Sequence, residues 1–248
     1  MLNDRQKKIL DHLGSGKEGS VNGLSDQLGV SGVTIRQDLR FLEGQGLLKR
    51  VHGGAVLRDA DDLENRLGIR FEQKLRIARR LARDVQDGET ILVESGSVNV
   101  LLARELAERK VNLITTNAYI ARQFRKNPGA SILLLGGLYQ PDSESMVGRM
   151  TRFCIGDQIN IDKAFIGIDG FSPEAGFTSR DMLRAEVSAY IIEKARDSTI
   201  VSDSSKFGKV ELTRICGVDD VQHVATNKDL DPLVRKHLKE TGVDLILA

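Results

Sequence analysis

The chain has 248 residues, of which 40% are hydrophobic and 29% charged, a balance typical of a globular protein with more than one domain. Its net charge of +1 is uneven, because residues 1–58 carry nine Lys/Arg against six Asp/Glu and the rest carries 27 against 29. Two cysteines without metal-ligand spacing, Cys154 and Cys216, exclude a disulfide framework and a structural zinc site. They are interpreted as buried thiols. No signal core and no apolar run of roughly 20 residues occurs, so we expect a cytoplasmic protein with no membrane partner.

The first 57 residues contain the pattern of three short helices and a hairpin. Apolar residues at helical spacing predict helices over 5–13 and from Val21 to a stop at Gly29. Ser31 is placed to N-cap a third helix, whose buried face carries Ile35 and other apolar residues at helical spacing. Two short strand-like runs then meet at His52-Gly53-Gly54, which is hairpin chemistry.

A longer segment with a different pattern follows. Residues 58–70 are polar and lack a sustained apolar stripe, which predicts a linker, and a helix resumes over 71–85. Beyond it, seven apolar runs alternate mostly with helical stretches, and runs of this kind suit parallel strands that are covered on both faces. The fold class is therefore α/β: a small N-terminal winged helix-turn-helix domain (1–57) and a larger Rossmann-like open α/β domain (71–248).

The N-terminal pattern predicts a DNA reader. In a winged helix-turn-helix the third helix enters the major groove, where long polar side chains bind base edges. Residues near its N-terminus and on the wing would meet phosphates or the minor groove. A helical protein-interaction module is the alternative, but it gives the basic wing no purpose. Asp38 is interpreted as a structural residue paired with a basic neighbour. The predicted DNA-binding residues are Ser31, Val33, Thr34, Arg36, Gln37, Arg40, Lys49, Arg50 and His52.

These N-terminal stretches resemble the DeoR family of bacterial transcriptional regulators. The resemblance is carried by Arg5, Ile9 and Leu13, by "SGVTIRQDLRFLE" and by "KRVHGGAV". It implies a regulator that binds double-stranded operator DNA, and by analogy a repressor.

In the larger domain, "TILVESGSVNVLLARELAE" predicts a strand, a small-residue turn and a helix that begins near Val98. Unpaired N–H groups at such a helix start form a natural anion site, although a turn without any ligand would use the same residues. Three further polar loops follow strands, at Thr116-Asn117, at Asp169-Gly170 and at 203–206. Because strand ends line one crevice of an open α/β sheet, we expect the loops to converge on a ligand.

The family resemblance extends across this half, through "ESGSVN", "TTN", "LLLGG", "DKAFIGIDGFSPEAGFTS", "AEV" and "DSSKFGK". It implies a sensor domain that resembles ribose-5-phosphate isomerase and binds a phosphorylated sugar or related metabolite, with Gly96, Ser97 and Lys206 at the phosphate. Glu94 and Val98 stand where the family usually has Asp and Thr. The predicted effector-binding residues are Ser95, Gly96, Ser97, Val98, Asn99, Thr116, Asn117, Asp169, Gly170, Arg180 and Lys206.

A sugar-phosphate isomerase-like enzyme with a fused DNA-binding domain is the alternative, with Asp181 or Glu186 as the base. Phe171 stands where those isomerases carry an acid, and a DNA reader makes catalysis unnecessary, so we expect no enzyme, no cofactor and no metal. The four histidines show no metalloprotease spacing. A regulator that reads repeated half-sites is expected to form a homodimer or homotetramer.

Overall fold

The computed structural model describes residues 2–14, 19–45, 47–56, 63–156 and 159–248. The chain divides into two compact units, Met1–Glu72 and Gln73–Ala248. The first unit holds four helices and a small antiparallel sheet, and the second is built on a seven-stranded parallel sheet. This architecture confirms the predicted fold class.

The N-terminal unit is a helical bundle with a wing. Side-chain caps start two of its helices, because Ser20 accepts a hydrogen bond from the amide of Gly23 and Ser31 accepts one from Thr34. The fully buried Ile9 and Ile35 belong to its core. Its elements are α1 (Asp4–Gly14), β1 (Gly19–Ser20), α2 (Val21–Leu28), α3 (Gly32–Gly44), β2 (Lys49–Val51), β3 (Gly54–Val56) and α4 (Leu63–Gly68).

The predicted hairpin forms the wing. β2 and β3 pair in antiparallel register with Arg50 opposite Ala55, and the turn between them places Gly53 at φ +79°, where glycine has no steric penalty. The sequence did not indicate β1, which adds a third strand through Gly19 and Ser20. Two residues are too few to show an alternating pattern.

The predicted linker, 58–70, is partly helical. Its first residues, 58–62, lie outside the described residues, and α4 follows them. Leu63 is 2% exposed and Leu67 is fully buried, and α4 packs on α1. A six-residue helix contributes only two core side chains, so the sequence carries no sustained apolar stripe here. The first compact unit extends to Glu72, while the domain bounds drawn from the sequence stay a prediction.

The second unit alternates strands and helices. Its first helix is α5 (Phe71–Ala82), which begins before the boundary at Gln73. A 3-10 turn is formed by Ser204–Lys206. The remaining elements are β4 (Thr90–Val93), α6 (Ser97–Leu106), β5 (Asn112–Thr115), α7 (Ala118–Gln123), β6 (Ser131–Leu134), β7 (Leu138–Gln140), β8 (Ser145–Val147), α8 (Arg149–Ile155), β9 (Lys163–Gly167), β10 (Gly170–Ser172), β11 (Gly176–Ser179), α9 (Met182–Lys194), β12 (Ser198–Val201), β13 (Thr213–Cys216), β14 (His223–Thr226), α10 (Pro232–Glu240) and β15 (Asp244–Leu247).

The seven apolar runs form one sheet in the order β15-β14-β12-β9-β4-β5-β6, and every neighbouring pair is parallel. Chain order reverses at β4, since β5 and β6 lie on one side of it and β9 lies on the other. Ile166, Ile200 and Val224, on three adjacent strands, are fully buried in the core. The prediction of a parallel sheet is confirmed, and the central strands are covered on both faces, but the expected cover is wrong for β6, whose four residues are exposed.

Two small antiparallel sheets, β7-β8 and β10-β11-β13, accompany the main sheet. The rings of Phe171 in β10 and Phe177 in β11 lie 4.8 Å apart and are fully buried. The sequence analysis did not predict these strands, because their short polar and glycine-containing stretches carry little periodic signal.

The two cysteines differ in their surroundings. Cys216 is buried, and burial raises the pKa of its thiol to about 12, whereas Cys154 in α8 is exposed. The expectation of two buried thiols was therefore wrong for Cys154. Among the described residues, every helix is too short or too polar to span a bilayer.

Candidate functional site

One face of α3 is exposed and polar. Ile35, Leu39 and Leu42 point into the core, with at most 1% of their surface exposed. The opposite face follows the spacing i, i+3, i+4, i+7, so its side chains project together from the helix. Its exposed residues are Val33, Arg36, Gln37 and Arg40. Ser31 and Thr34, at the start of the helix, hydrogen-bond each other with 2.9 Å between their hydroxyl oxygens.

Asp38 lies on the buried side of α3. Its carboxylate accepts hydrogen bonds from Arg5 Nε at 2.5 Å and from Gln6 Nε2 at 3.1 Å. The hydrogen bond to Asp38 raises the pKa of the Arg5 guanidinium. These contacts confirm that Asp38 is a structural residue paired with a basic neighbour, and they tie α1 to α3.

The wing is fastened to α3 through one arginine. Arg50 donates from its main-chain N–H to Glu43 Oε1 at 3.0 Å and from Nε to Oε2 at 2.7 Å. The side-chain hydrogen bond from Arg50 lowers the pKa of Glu43. Lys49 and His52 are exposed on the same wing. Arg50 thus has a positioning role that the sequence did not reveal.

A groove of about 320 Å³ separates α3 from the wing, and Arg36 and Arg50 line it together with Val51 and Gly53. The groove brings a residue of the exposed α3 face beside a wing residue. Arg36 and Arg50 thus share one groove, while the assignment of the nine residues to DNA binding stays a prediction.

In the second unit, the four predicted loops follow four adjacent strands. They leave the carboxyl ends of β12, β9, β4 and β5, which are consecutive in the sheet. The reversal of chain order lies between β9 and β4, and crevices at such switch points hold ligands in open α/β sheets. The four loops therefore leave the same edge of the sheet, and their convergence on a ligand stays a prediction.

The turn after β4 opens a helix end. Gly96 caps α6 with φ +147° and no side-chain hydrogen bond, a conformation that side chains rarely adopt. The first helical hydrogen bond runs from Val100 N to Gly96 O at 2.9 Å, so the N–H groups of residues 97–99 precede it and lack intrahelical acceptors. A Cβ on Gly167 of β9 would lie 2.4 Å from Ser95 O, so the two loops touch through their main chains.

The side chains of Val98 and Asn99 point inward from this turn. Val98 is 3% exposed and Asn99 is fully buried. Asn99 Nδ2 donates to the carbonyl oxygens of Glu94 and Phe165, both at 3.0 Å. Their side chains therefore brace the turn, and their N–H groups are the parts that face the helix start.

Glu94 is a carboxyl group buried beneath the crevice. Its Oε1 accepts from Ser188 Oγ at 2.6 Å and its Oε2 accepts from Gly167 N at 3.3 Å. Burial raises the pKa of Glu94 to about 7, against the opposing effects of the Ser188 hydrogen bond and the Arg184 charge. The site thus contains an acid that changes charge near neutral pH.

Thr116 and Asn117 are almost completely buried. Asn117 caps α7, because its Oδ1 accepts from Ile120 N at 3.0 Å, and its Nδ2 donates to Ser143 O at 2.7 Å. The same amide nitrogen lies 3.4 Å from Ser95 Oγ. Asn117 was predicted to bind the effector, but its amide already joins the β4 loop to the β7-β8 segment.

Asp169 and Gly170 follow β9 at the base of the crevice. Asp169 Oδ2 accepts from Ser179 Oγ at 3.3 Å and from the main-chain N–H of Arg180 at 3.2 Å, and Arg184 Nη2 lies 3.7 Å from it. Gly170 is buried. The exposed Arg180 side chain donates from Nε to Glu211 at 3.1 Å, so it lies at the rim.

The loop after β12 carries Lys206, which is half-buried at the end of the 3-10 turn. Asp203 caps this turn by accepting from Ser205 N at 3.0 Å. Lys74 of α5 is 3% exposed, and its Nζ lies 3.8 Å from Asp203 Oδ2. Lys74 was not predicted from the sequence. Its position, three residues after Phe71 and one before Leu75, places it on the buried stripe of α5, and this spacing could have identified it.

The two acids proposed as an isomerase base have other partners. Asp181 caps α9 by accepting from Arg184 N at 2.8 Å and also accepts from Gln140 Nε2 at 2.8 Å. Glu186 is exposed and lies 3.8 Å from Arg152 Nη2. Both carboxylates are thus engaged in structural contacts.

Family comparisons cover almost the whole chain. The family described as "DeoR-like helix-turn-helix domain" matches residues 5–61, and "DeoR C terminal sensor domain" matches residues 69–228. The relatives include the HTH-type transcriptional regulator GolR of Listeria innocua, 28% identical over 99% of this chain and 98% of that protein. Another is the glycerol-3-phosphate regulon repressor of Haemophilus influenzae, 28% identical over 98% and 96%.

Among solved structures, ribose 5-phosphate isomerase A from Methanocaldococcus jannaschii is similar over 55% of this chain and 54% of that one, with a TM-score of 0.40 and 20% identity. The eIF2B delta subunit of Chaetomium thermophilum is similar over 66% and 57%, with a TM-score of 0.47 and 14% identity. The relatives that align along their full length are transcriptional regulators, not enzymes. The chain belongs to the DeoR family of DNA-binding transcriptional regulators, with an N-terminal helix-turn-helix and a C-terminal sensor domain.

Proposed function

We propose that this regulator is a repressor of a carbohydrate-utilisation operon and that a phosphorylated sugar bound in the sensor domain relieves repression. The observation that carries the proposal is the helix start at Gly96. There, the N–H groups of residues 97–99 precede the first helical hydrogen bond and lie at the switch point of the sheet. Backbone donors at a helix N-terminus are suited to a phosphate.

The loop of Lys206 supports the same ligand class. It follows β12, two strands from β4 in the sheet, and two strand spacings amount to about 10 Å. A lysine side chain and a small sugar phosphate bridge that distance together. Ser97 and Arg180 complete the accessible polar groups around this crevice, while Asp169 fixes its base.

On the DNA side, we propose that Arg36, Gln37 and Arg40 bind base edges and that Lys49 and His52 of the wing meet the phosphate backbone. Two copies of the chain would read two half-sites about 10 base pairs or a multiple apart. A ligand that favours one arrangement of the sensor domains then lowers operator occupancy, because binding at the two sites is thermodynamically linked.

The effector proposal is tested by thermal unfolding of the full-length protein with a panel of sugar phosphates, the matching unphosphorylated sugars and inorganic phosphate. A ligand that binds only the folded state raises the midpoint of unfolding. Lys206→Ala is expected to abolish the increase, and Lys209→Ala, which changes an exposed lysine three residues away, is expected to retain it. Equal increases with phosphorylated and unphosphorylated sugars would reject a phosphate site.

The DNA proposal is tested by measuring affinity for the operator at fixed salt. Arg36→Ala and Arg40→Ala are each expected to weaken specific binding by roughly 10-fold or more, the value of one bidentate base contact. Arg76→Ala removes an exposed arginine of α5 and serves as the control for charge. Unchanged affinity in both α3 variants would remove the assignment of α3 as the recognition helix.

A further inference from the structure

The sheet of the sensor unit has two edges that differ in character. At one edge, β15 begins with the charged Asp244, which is 2.8 Å from His223 Nδ1 on β14, and its three apolar residues are partly buried. At the other edge, all four residues of β6 are exposed and none is charged. Uncharged, exposed edge strands favour pairing with another chain, whereas charges at an edge oppose it.

The backbone of β6 offers hydrogen-bonding groups outward. Ser131 N donates to Val111 O at 3.1 Å and Leu135 N donates to Thr115 O at 2.9 Å, so both N–H groups point towards β5. Because strand hydrogen bonding alternates along the chain, Leu133 also faces β5, and the N–H groups of Ile132 and Leu134 point away from it. The edge therefore presents two donors and their carbonyl acceptors to a further strand.

The side chains of this edge are apolar on both faces. Ile132, Leu133 and Leu134 expose 38%, 45% and 41% of their surface. With roughly 200 Å² for a large side chain, these three residues expose about 250 Å² of mainly apolar surface. A stable interface needs about 800 Å² per partner, a little more than half of it apolar. The β6 side chains supply a little more than half of that apolar share, and the outward main-chain groups add strand pairing.

We infer that two copies of this chain associate through β6, pairing edge to edge about a two-fold axis to form one continuous sheet. The inference deepens the proposed self-association and does not depend on DNA or effector binding. A two-fold axis makes the two β6 strands antiparallel. Only Ile132 and Leu134 direct their main-chain N–H and C=O groups outward. The axis must therefore pass through Ile132, Leu133 or Leu134. The register centred on Leu133 pairs the most residues.

In that register Leu133 lies opposite its own copy in a non-hydrogen-bonded pair, with Cα atoms about 4.5 Å apart, within the range that a disulfide spans. Leu133→Cys in a Cys154→Ser background, which removes the exposed native thiol, is expected to form a covalent dimer under mild oxidation. The yield should exceed by at least fivefold that of Leu233→Cys, which replaces a 78% exposed leucine of α10. Ile132→Cys and Leu134→Cys test the neighbouring registers.

Light scattering after gel filtration gives the mass of each variant. The wild type is expected to be at least a dimer, and Leu133→Lys is expected to halve the mass while circular dichroism stays unchanged. A wild-type dimer in which none of the three cysteines cross-links would overturn the β6 interface but leave self-association standing. A wild-type monomer at micromolar concentration would overturn both, and neither result would bear on the DNA or effector sites.

Discussion

Glu94→Gln should remove a pH-dependent loss of stability. In the folded chain the Glu94 carboxyl binds its proton up to about pH 7, whereas its ordinary pKa is 4.5. Between these values the folded state holds one more proton than the unfolded state, so the free energy of unfolding falls as pH rises. The stabilisation is complete below pH 4.5 and is lost as pH passes through about 7. At about 1.4 kcal/mol per pKa unit, the loss totals about 3 kcal/mol.

The assay is guanidinium-induced unfolding of the full-length protein between pH 4.5 and 8.5, followed by circular dichroism. From the lowest to the highest pH, the wild type should lose about 3 kcal/mol more unfolding free energy than Glu94→Gln does. Glu108→Gln, at an exposed site of the same unit, controls for the loss of one charge. A Glu94→Gln difference that does not change with pH would refute the reasoning.

Three further substitutions test the contacts around the two sites. Gly96→Ala forces a side chain into φ +147°, which should lower the free energy of unfolding by about 1–3 kcal/mol. The variant should also lose the thermal stabilisation by sugar phosphates. An unfolding midpoint like that of the wild type would contradict the strain. Asn117→Ala removes the α7 cap and a buried hydrogen bond to Ser143, so we expect about 2–4 kcal/mol by chemical denaturation. Asp38→Ala leaves Gln6 and Arg5 without their acceptor and should cost about 1–3 kcal/mol, with unaltered stability as the opposing result.

The central strands of the main sheet could be predicted because they are covered on both faces. Runs such as "TILV" at 90–93 and "STIV" at 198–201 are almost continuously buried, and such strands appear in sequence as short apolar runs. The antiparallel strands could not be predicted in this way. β11, with sequence "GFTS", is also fully buried, but its threonine and serine are held by tertiary hydrogen bonds that leave no pattern in the sequence.

The candidate site could be placed by its loops but not by its side-chain contacts. The turn at Gly96 and the loop of Lys206 were found because small and polar residues follow apolar runs. The sequence could not show that Asn117 already donates to Ser143, or that Glu43 holds Arg50, since both contacts join segments whose distance depends on packing. Lys74 was missed because its ion pair with Asp203 joins two segments that are far apart in the sequence.

The close approach of Gly167 to Ser95 limits how this sensor can diversify. A single methyl group on Gly167 would collide with the carbonyl oxygen of Ser95, so position 167 has no room for a side chain. In the proposed effector site, adaptation to a different metabolite would therefore fall to other positions, such as Arg180 and Lys206. A designer who wishes to retune the sensor should vary those positions and leave Gly167 untouched.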